Sequence, residues 1–148
     1  MVYKQQYSWQ CGSYASLNAL QHSWVKVTEQ EILSLGTIMW FLAMSNKLRK
    51  SWYIKSLSYP LTQRQVNQQL ARGVAIIAKL TKNNFKSVVA PNFINDLNGV
   101  MWHFVCIVED CWDKYKYLDQ QGELFGDKWY AYLLKSDFNK FSCAKLNF

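Results

Sequence analysis

The spacing of hydrophobic residues changes midway along the chain, from a helical period to an alternating one. From Cys11 the run Cys-Gly-Ser-Tyr-Ala-Ser-Leu-Asn-Ala-Leu predicts a helix reaching about His22. After a short connector over 23–27, Thr28-Glu29-Gln30-Glu31 forms a capping box, with Thr28 as N-cap and Glu31 at N3. The helix it opens carries Ile32, Leu33 and Leu35 and stops at Gly36. A more apolar helix is predicted over 37–48, with Ile38, Phe41, Leu42 and Ser45 at helical spacing. Pro60 interrupts the pattern. Thr62-Gln63-Arg64-Gln65 then opens a helix to about Arg72, and Gly73 closes it.

From here the pattern turns to strands. The stretch 74–80 is almost wholly apolar, as expected of a strand central to a sheet. The polar segment 81–98 contains Pro91 and several asparagines and has room for one short strand at 85–89. A connection of that length in a small domain is usually functional or mobile. Strands over 100–109 and 114–118 read as a hairpin turning across 110–113. Turns are expected at 121–123 and 125–127. The stretch 129–134 fits either strand or helix, Ser136 caps a single turn, and the tail from Ser142 reads as an edge strand. Helices first and antiparallel strands later is an α+β order. The 148 residues suit one domain, 1–148, with no internal repeat or linker.

Composition narrows the classes. Half the residues are hydrophobic and 16% aromatic, which excludes a disordered chain. The net charge of +7 is spread out, with one tight cluster at Lys47, Arg49 and Lys50 and Lys55 just beyond. Nucleic acid is not an expected partner, because neither a long basic stripe nor a nucleic-acid-binding motif is present. A solvated basic face that favours acidic partners is the simpler reading. The most apolar run, 37–44, falls far short of the roughly 20 residues that span a bilayer. The first ten residues lack the basic and apolar regions of a secretory signal, so a soluble, cytoplasmic protein is expected. Cys11, Cys106, Cys111 and Cys143 have no metal-ligand spacing, so free thiols are expected and no metal or cofactor.

One of these cysteines carries candidate chemistry. A thiol in the first turn of a helix meets the unpaired N–H groups and positive pole there, which favour the nucleophilic thiolate. Gln5, six residues ahead, can present a carboxamide that joins the Cys11 N–H as an oxyanion site. A base is then required. His22 sits three turns away, roughly 16 Å at 1.5 Å per residue, and cannot reach. His103 lies on the strand Trp102-His103-Phe104-Val105, sharing a face with Val105 and Ile107. A lone histidine on an apolar strand is more often a satisfied core or surface residue than a base. Asp119, ending the next strand of the hairpin, changes the balance, since hairpin pairing brings a carboxylate beside the imidazole.

With these residues the chain resembles the papain-like cysteine peptidases, and among them the C39-like peptidases. The marks are Gln5 ahead of Cys11-Gly12, the capped helix ending Leu33-Ser34-Leu35-Gly36-Thr37, and the helix-to-strand unit over 66–80. Trp102-His103-Phe104-Val105, Tyr117-Leu118-Asp119, a glycine turn and Trp129 follow. The likeness runs from Gln5 to about Phe138. It implies a papain-like α+β fold, N-terminal helices carrying the nucleophile, and an antiparallel sheet carrying the histidine and aspartate. It further implies Gln5 in the oxyanion hole, Cys11 as nucleophile, His103 as general base and acid, and Asp119 as the orienting residue. Trp9, Gly12 and Trp102 flank these positions and are candidates to line a cleft for a polypeptide substrate. Gln10 before the cysteine and Gln120 after the aspartate depart from the family's usual Asp and Pro. Isopeptidase, cell-wall amidase or acyltransferase chemistry on the same fold, or a non-catalytic peptide-binding module, are the alternatives.

Overall fold

Ten consecutive residues of the first helix, Cys11 to Leu20, are all buried. A helix with one apolar stripe lies on a core surface, whereas one buried all round lies within the fold. Small residues make this possible here: Gly12, Ser13, Ala15, Ser16 and Ala19 let neighbouring segments approach closely. The buried hydroxyls are satisfied locally, with Ser16 Oγ donating to the Gly12 carbonyl at 2.7 Å and Ser13 Oγ to that of Gly36 at 3.3 Å.

The computed structural model describes residues 10–81, 102–118 and 130–148. Around the first helix, α1 (Cys11–His22), are α2 (Glu29–Leu33), α3 (Phe41–Lys50) and α4 (Gln63–Ala71). The strands are β1 (Ser56–Ser58), β2 (Ile76–Thr81), β3 (Trp102–Asp110), β4 (Lys114–Leu118), β5 (Tyr130–Leu134) and β6 (Phe141–Asn147). They form one antiparallel sheet in the order β1-β6-β2-β3-β4-β5. The architecture is α+β, and no helix among the described residues is long and apolar enough to cross a membrane.

The sheet separates two cores. Alternation along β3 sends Phe104 and Cys106 to a core shared with α1, α2 and α3, while Val105 and Ile107 join Val66 and Leu70 of α4. β2 divides likewise, with Ala75 and Ile77 on the α1 side and Ile76, Ala78 and Leu80 on the other. Both faces are covered, which is why 74–80 carries so little polar alternation.

Local signals explain the helix starts. Thr28 Oγ1 accepts from the Glu31 N–H, and Thr62 and Gln65 complete a reciprocal capping box at the head of α4. Gly73, at φ +78° with open space around it, supplies the left-handed residue that ends α4.

Two expectations are corrected, one ambiguity is resolved, and one strand is added. The helix predicted over 37–48 begins only at Phe41, and Trp40 before it is extended (φ −138°, ψ 154°). Buried Ile38 packs its backbone on Gly12, and Lys47 Nζ donates to the Thr37 carbonyl at 2.8 Å, so tertiary contacts override the local helical pattern. The C-terminal tail is an inner strand, not an edge, with β6 lying between β1 and β2. Its Ala144 and Leu146 enter one core and Phe141 and Cys143 the other, a two-sided burial masked by Ser142 and Lys145. The ambiguous 129–134 segment is strand β5, at the sheet edge. The opposite edge is β1, which the hydrophobic pattern does not reveal because Ser-Leu-Ser has one apolar residue. The expected hairpin forms over the described residues 102–118, with its turn at 111–113. The expected short strand at 85–89 and the turns at 121–123 and 125–127 lie outside the described residues.

Candidate active site

Gln10 is the N-cap of α1 and Cys11 its first helical residue; the Gln10 side chain makes no capping hydrogen bond. No acidic residue occupies the first turn, so no carboxylate there opposes a thiolate through the helix dipole. Cys11 itself is 3% exposed. Gly12 follows because nothing larger fits: a Cβ at this position would stand 2.1 Å from the Ile38 carbonyl oxygen. Gly12, a candidate for lining a cleft, thus has a packing role beside the thiol.

The start of α1 lies at a definite end of the sheet. From Ile38, against Gly12, the chain passes to Trp40, whose ring receives Lys79 Nζ at 4.4 Å from its centroid. Lys79 pairs with Phe104 across β2 and β3, and Phe104 meets Phe41 edge-on at 5.5 Å between centroids. The other end of α1 borders a cavity lined by Asn18, His22 and Gly73, where β2 is about to begin. α1 therefore runs in the same sense as β3, and Cys11 and His103 belong to the same end of the sheet.

They do not share a face of it. His103 pairs with Leu80, which belongs to the α4 core, and the β2–β3 register is unbroken from Ile76 to Thr81. Alternation therefore gives His103 the face of Val105 and Ile107, whereas α1 packs on the face of Phe104 and Cys106. A meeting of thiol and imidazole has to occur around the end of β2 and β3. The second position of a strand and the first of a helix are where that is geometrically open. His103 is 3% exposed, and burial pushes its imidazole down to about 3.

Of the remaining candidates, Trp102 opens β3 opposite Thr81. Gln5, Trp9 and Asp119 lie outside the described residues. Asp119 directly follows Leu118, which pairs with Cys106, three residues along β3 from His103.

Lys79 was not singled out by sequence reasoning. Burial lowers its pKa from the ordinary lysine value, and its ammonium faces the Trp40 ring. The signal was a lone charge within the apolar run Val74 to Leu80. With Phe41, Tyr59 and Phe104 it makes an aromatic and cationic border at the Cys11 end of the sheet; the Phe41 and Tyr59 centroids are 5.3 Å apart.

The other thiols have different surroundings. Cys106 and Cys143 are buried, and burial raises both pKa values, that of Cys106 to about 12. Cys111 is partly exposed in the hairpin turn. No disulfide joins the four cysteines, and no group of His, Cys, Asp and Glu among the described residues has the makings of a metal site. No protein-family model matches the chain, and no curated protein matches it.

Proposed function

We propose that this protein is a papain-like cysteine hydrolase acting on polypeptides, with Cys11 as nucleophile and His103 as its base. The observation that carries the reading is the placement of Cys11 at the head of a buried helix, at the sheet end where His103 begins its strand. The α+β arrangement, with helices on the face that presents the thiol, is consistent with it.

In the proposed reaction His103 accepts the Cys11 proton as sulfur bonds to the substrate carbonyl carbon. The Cys11 N–H and the Gln5 amide hold the resulting oxyanion. The C–N bond then breaks, and the imidazolium returns its proton to the departing amine. Water, deprotonated by His103, attacks the thioester carbonyl; the C–S bond breaks to release the acid, and the imidazolium returns its proton to the Cys11 sulfur.

Burial sets a demand on this scheme. An ordinary thiol titrates near 8.5, so passing its proton to a base held near 3 costs on the order of 7 kcal/mol. Asp119 is the residue assigned to remove that cost. In sequence it directly follows Leu118, whose partner on β3 is Cys106. A carboxylate there raises the imidazole pKa and fixes its tautomer.

The face on which His103 lies favours one other reading. A histidine turned into the α4 core and held neutral fits a non-catalytic peptide-binding module. Isopeptidase, amidase and acyltransferase chemistry share the acylation scheme and differ in the substrate or in the acceptor that replaces water. A peptide-library digest read by mass spectrometry separates them. Hydrolysis abolished by Cys11→Ala and by His103→Ala, with fold retained, supports the peptidase. Hydrolysis that survives Cys11→Ala refutes it.

A further inference from the structure

Among the described residues, the three non-glycine positions with positive φ are all tryptophans: Trp24 (64°), Trp52 (65°) and Trp112 (75°). The left-handed region is a poor place for a bulky residue, and glycine or asparagine would occupy these turns with less strain. Packing does not compensate, since the three are 93%, 92% and 91% exposed. A strained residue displayed in this way points to a use for its side chain.

All three stand at one end of the sheet. Trp24 follows the last turn of α1 and borders the same cavity as Gly73, just before β2. Trp52 is three residues ahead of Lys55, whose N–H donates to the carbonyl of Asn147, the last residue of β6, at 2.7 Å. Trp112 tips the β3–β4 turn. The start of β2 and the ends of β3 and β6 coincide because β2 pairs antiparallel with both. From β1 to β4 is four strand spacings, about 19 Å, so the rings are spread along the end like feet. Half-exposed Phe148 follows β6 at the same end. This is the end away from Cys11 and His103.

The charge around these rings is positive. Lys26, Arg49, Lys50, Lys55 and Arg72 are exposed beside them. The acids nearby are largely engaged: Asp110 holds Lys135 at 2.6 Å, and Glu29 and Glu31 accept from Tyr14 and Tyr53. Glu109, beside Trp112, holds Lys116 at 3.5 Å, and Asp113 is exposed.

We propose that this end of the molecule binds anionic lipid bilayers peripherally, with Trp24, Trp52 and Trp112 as interfacial anchors. Tryptophan favours the headgroup level of a bilayer, and nearby Lys and Arg add attraction to anionic lipid. Separate projecting tips suit a deformable surface. A single-stranded nucleic acid is instead held in a basic groove floored by aromatic platforms. The inference does not depend on the catalytic reading.

Vesicle co-sedimentation of the full chain tests it, using phosphatidylcholine alone and phosphatidylcholine with about one-third phosphatidylglycerol. The comparison protein carries Trp24→Asn, Trp52→Asn and Trp112→Asn, with thermal melting as the check on its fold. Asparagine tolerates the left-handed region, so folding is preserved by design. The expected result is sedimentation with the anionic vesicles only, weakened by salt, and a fall of about tenfold or more in partitioning for the triple variant. Wild-type protein that stays in the supernatant overturns the proposal, as does a folded triple variant that binds equally well. Self-association of the wild type, lost in the variant and unaccompanied by vesicle binding, also overturns it, in favour of a second copy of this chain.

Discussion

Gly12 rests on the backbone of Ile38, so close that a Cβ would lie 2.1 Å from the Ile38 carbonyl oxygen. The obstacle is backbone, and it cannot swing aside as a flexible side chain would. Gly12→Ala is expected to displace α1 or the 37–40 segment and to cost roughly 1–3 kcal/mol of stability. Urea unfolding of the variant checks this. Because Cys11 adjoins the contact, its thiol reactivity is expected to change as well.

Tyr14 links the buried helix to the next one, its hydroxyl donating to Glu29 Oε1. Burial raises the Tyr14 pKa, and the Glu29 hydrogen bond and charge raise it further, so the phenol stays protonated. Tyr14→Phe removes the donor and leaves a partly buried carboxylate short of a partner. A loss of about 1–2 kcal/mol in a denaturant titration is the expected outcome.

The capping box at Thr62 and Gln65 makes a local prediction. Thr62 Oγ1 accepts from the Gln65 N–H at 3.2 Å, and Gln65 Oε1 accepts from the Thr62 N–H at 2.8 Å. Thr62→Ala is expected to cost about 1 kcal/mol by the same measurement, with no effect on the Cys11 end of the sheet.

His103 and Asp119 carry a pH prediction. Burial holds the His103 imidazole far below the ordinary 6.5, at about 3. The unfolded chain then takes up the proton first. Stability is full above about pH 6.5 and declines as pH falls from there towards 3, by on the order of 3 kcal/mol at pH 4.5. Loss of an opposing carboxylate in Asp119→Asn is expected to lower the His103 pKa further and to deepen the loss over the same window. Imidazole titration by NMR, paired with urea midpoints at pH 7 and 4.5, checks both. Identical His103 titration in the two proteins would remove Asp119 from the site.

Sequence pattern revealed much of this fold and less of the site. Thr28, Thr62 and Gly73 marked helix ends through local chemistry, which needs no tertiary partner to read. The apolar run Val74 to Leu80 announced a strand buried on both faces, and β2 is one. The misread segments took their form from distant contacts. Ile38 stays outside α3 with its backbone against Gly12, and β6 is central because β1 and β2 flank it. At the site, alternation told which residues share a face with His103, but not which face α1 would cover. That depends on how the cores divide, with Phe104 and Cys106 meeting α1 and Leu80 and Val105 meeting α4. No spacing in one strand encodes that choice.

The proposed thiol chemistry rests on Cys11 and His103 meeting around the end of β2 and β3. The most direct test is the pH dependence of iodoacetamide labelling, with modified cysteines read by peptide mass spectrometry in wild type and His103→Ala. Cys111 is the internal reference, being the partly exposed thiol, and Cys106 and Cys143 are buried controls. The prediction is selective labelling of Cys11 well below pH 8.5, slowed at least about tenfold in His103→Ala. Labelling of Cys111 ahead of Cys11, or a Cys11 profile untouched by His103→Ala, would contradict the assignment and leave His103 as a core residue of the α4 face.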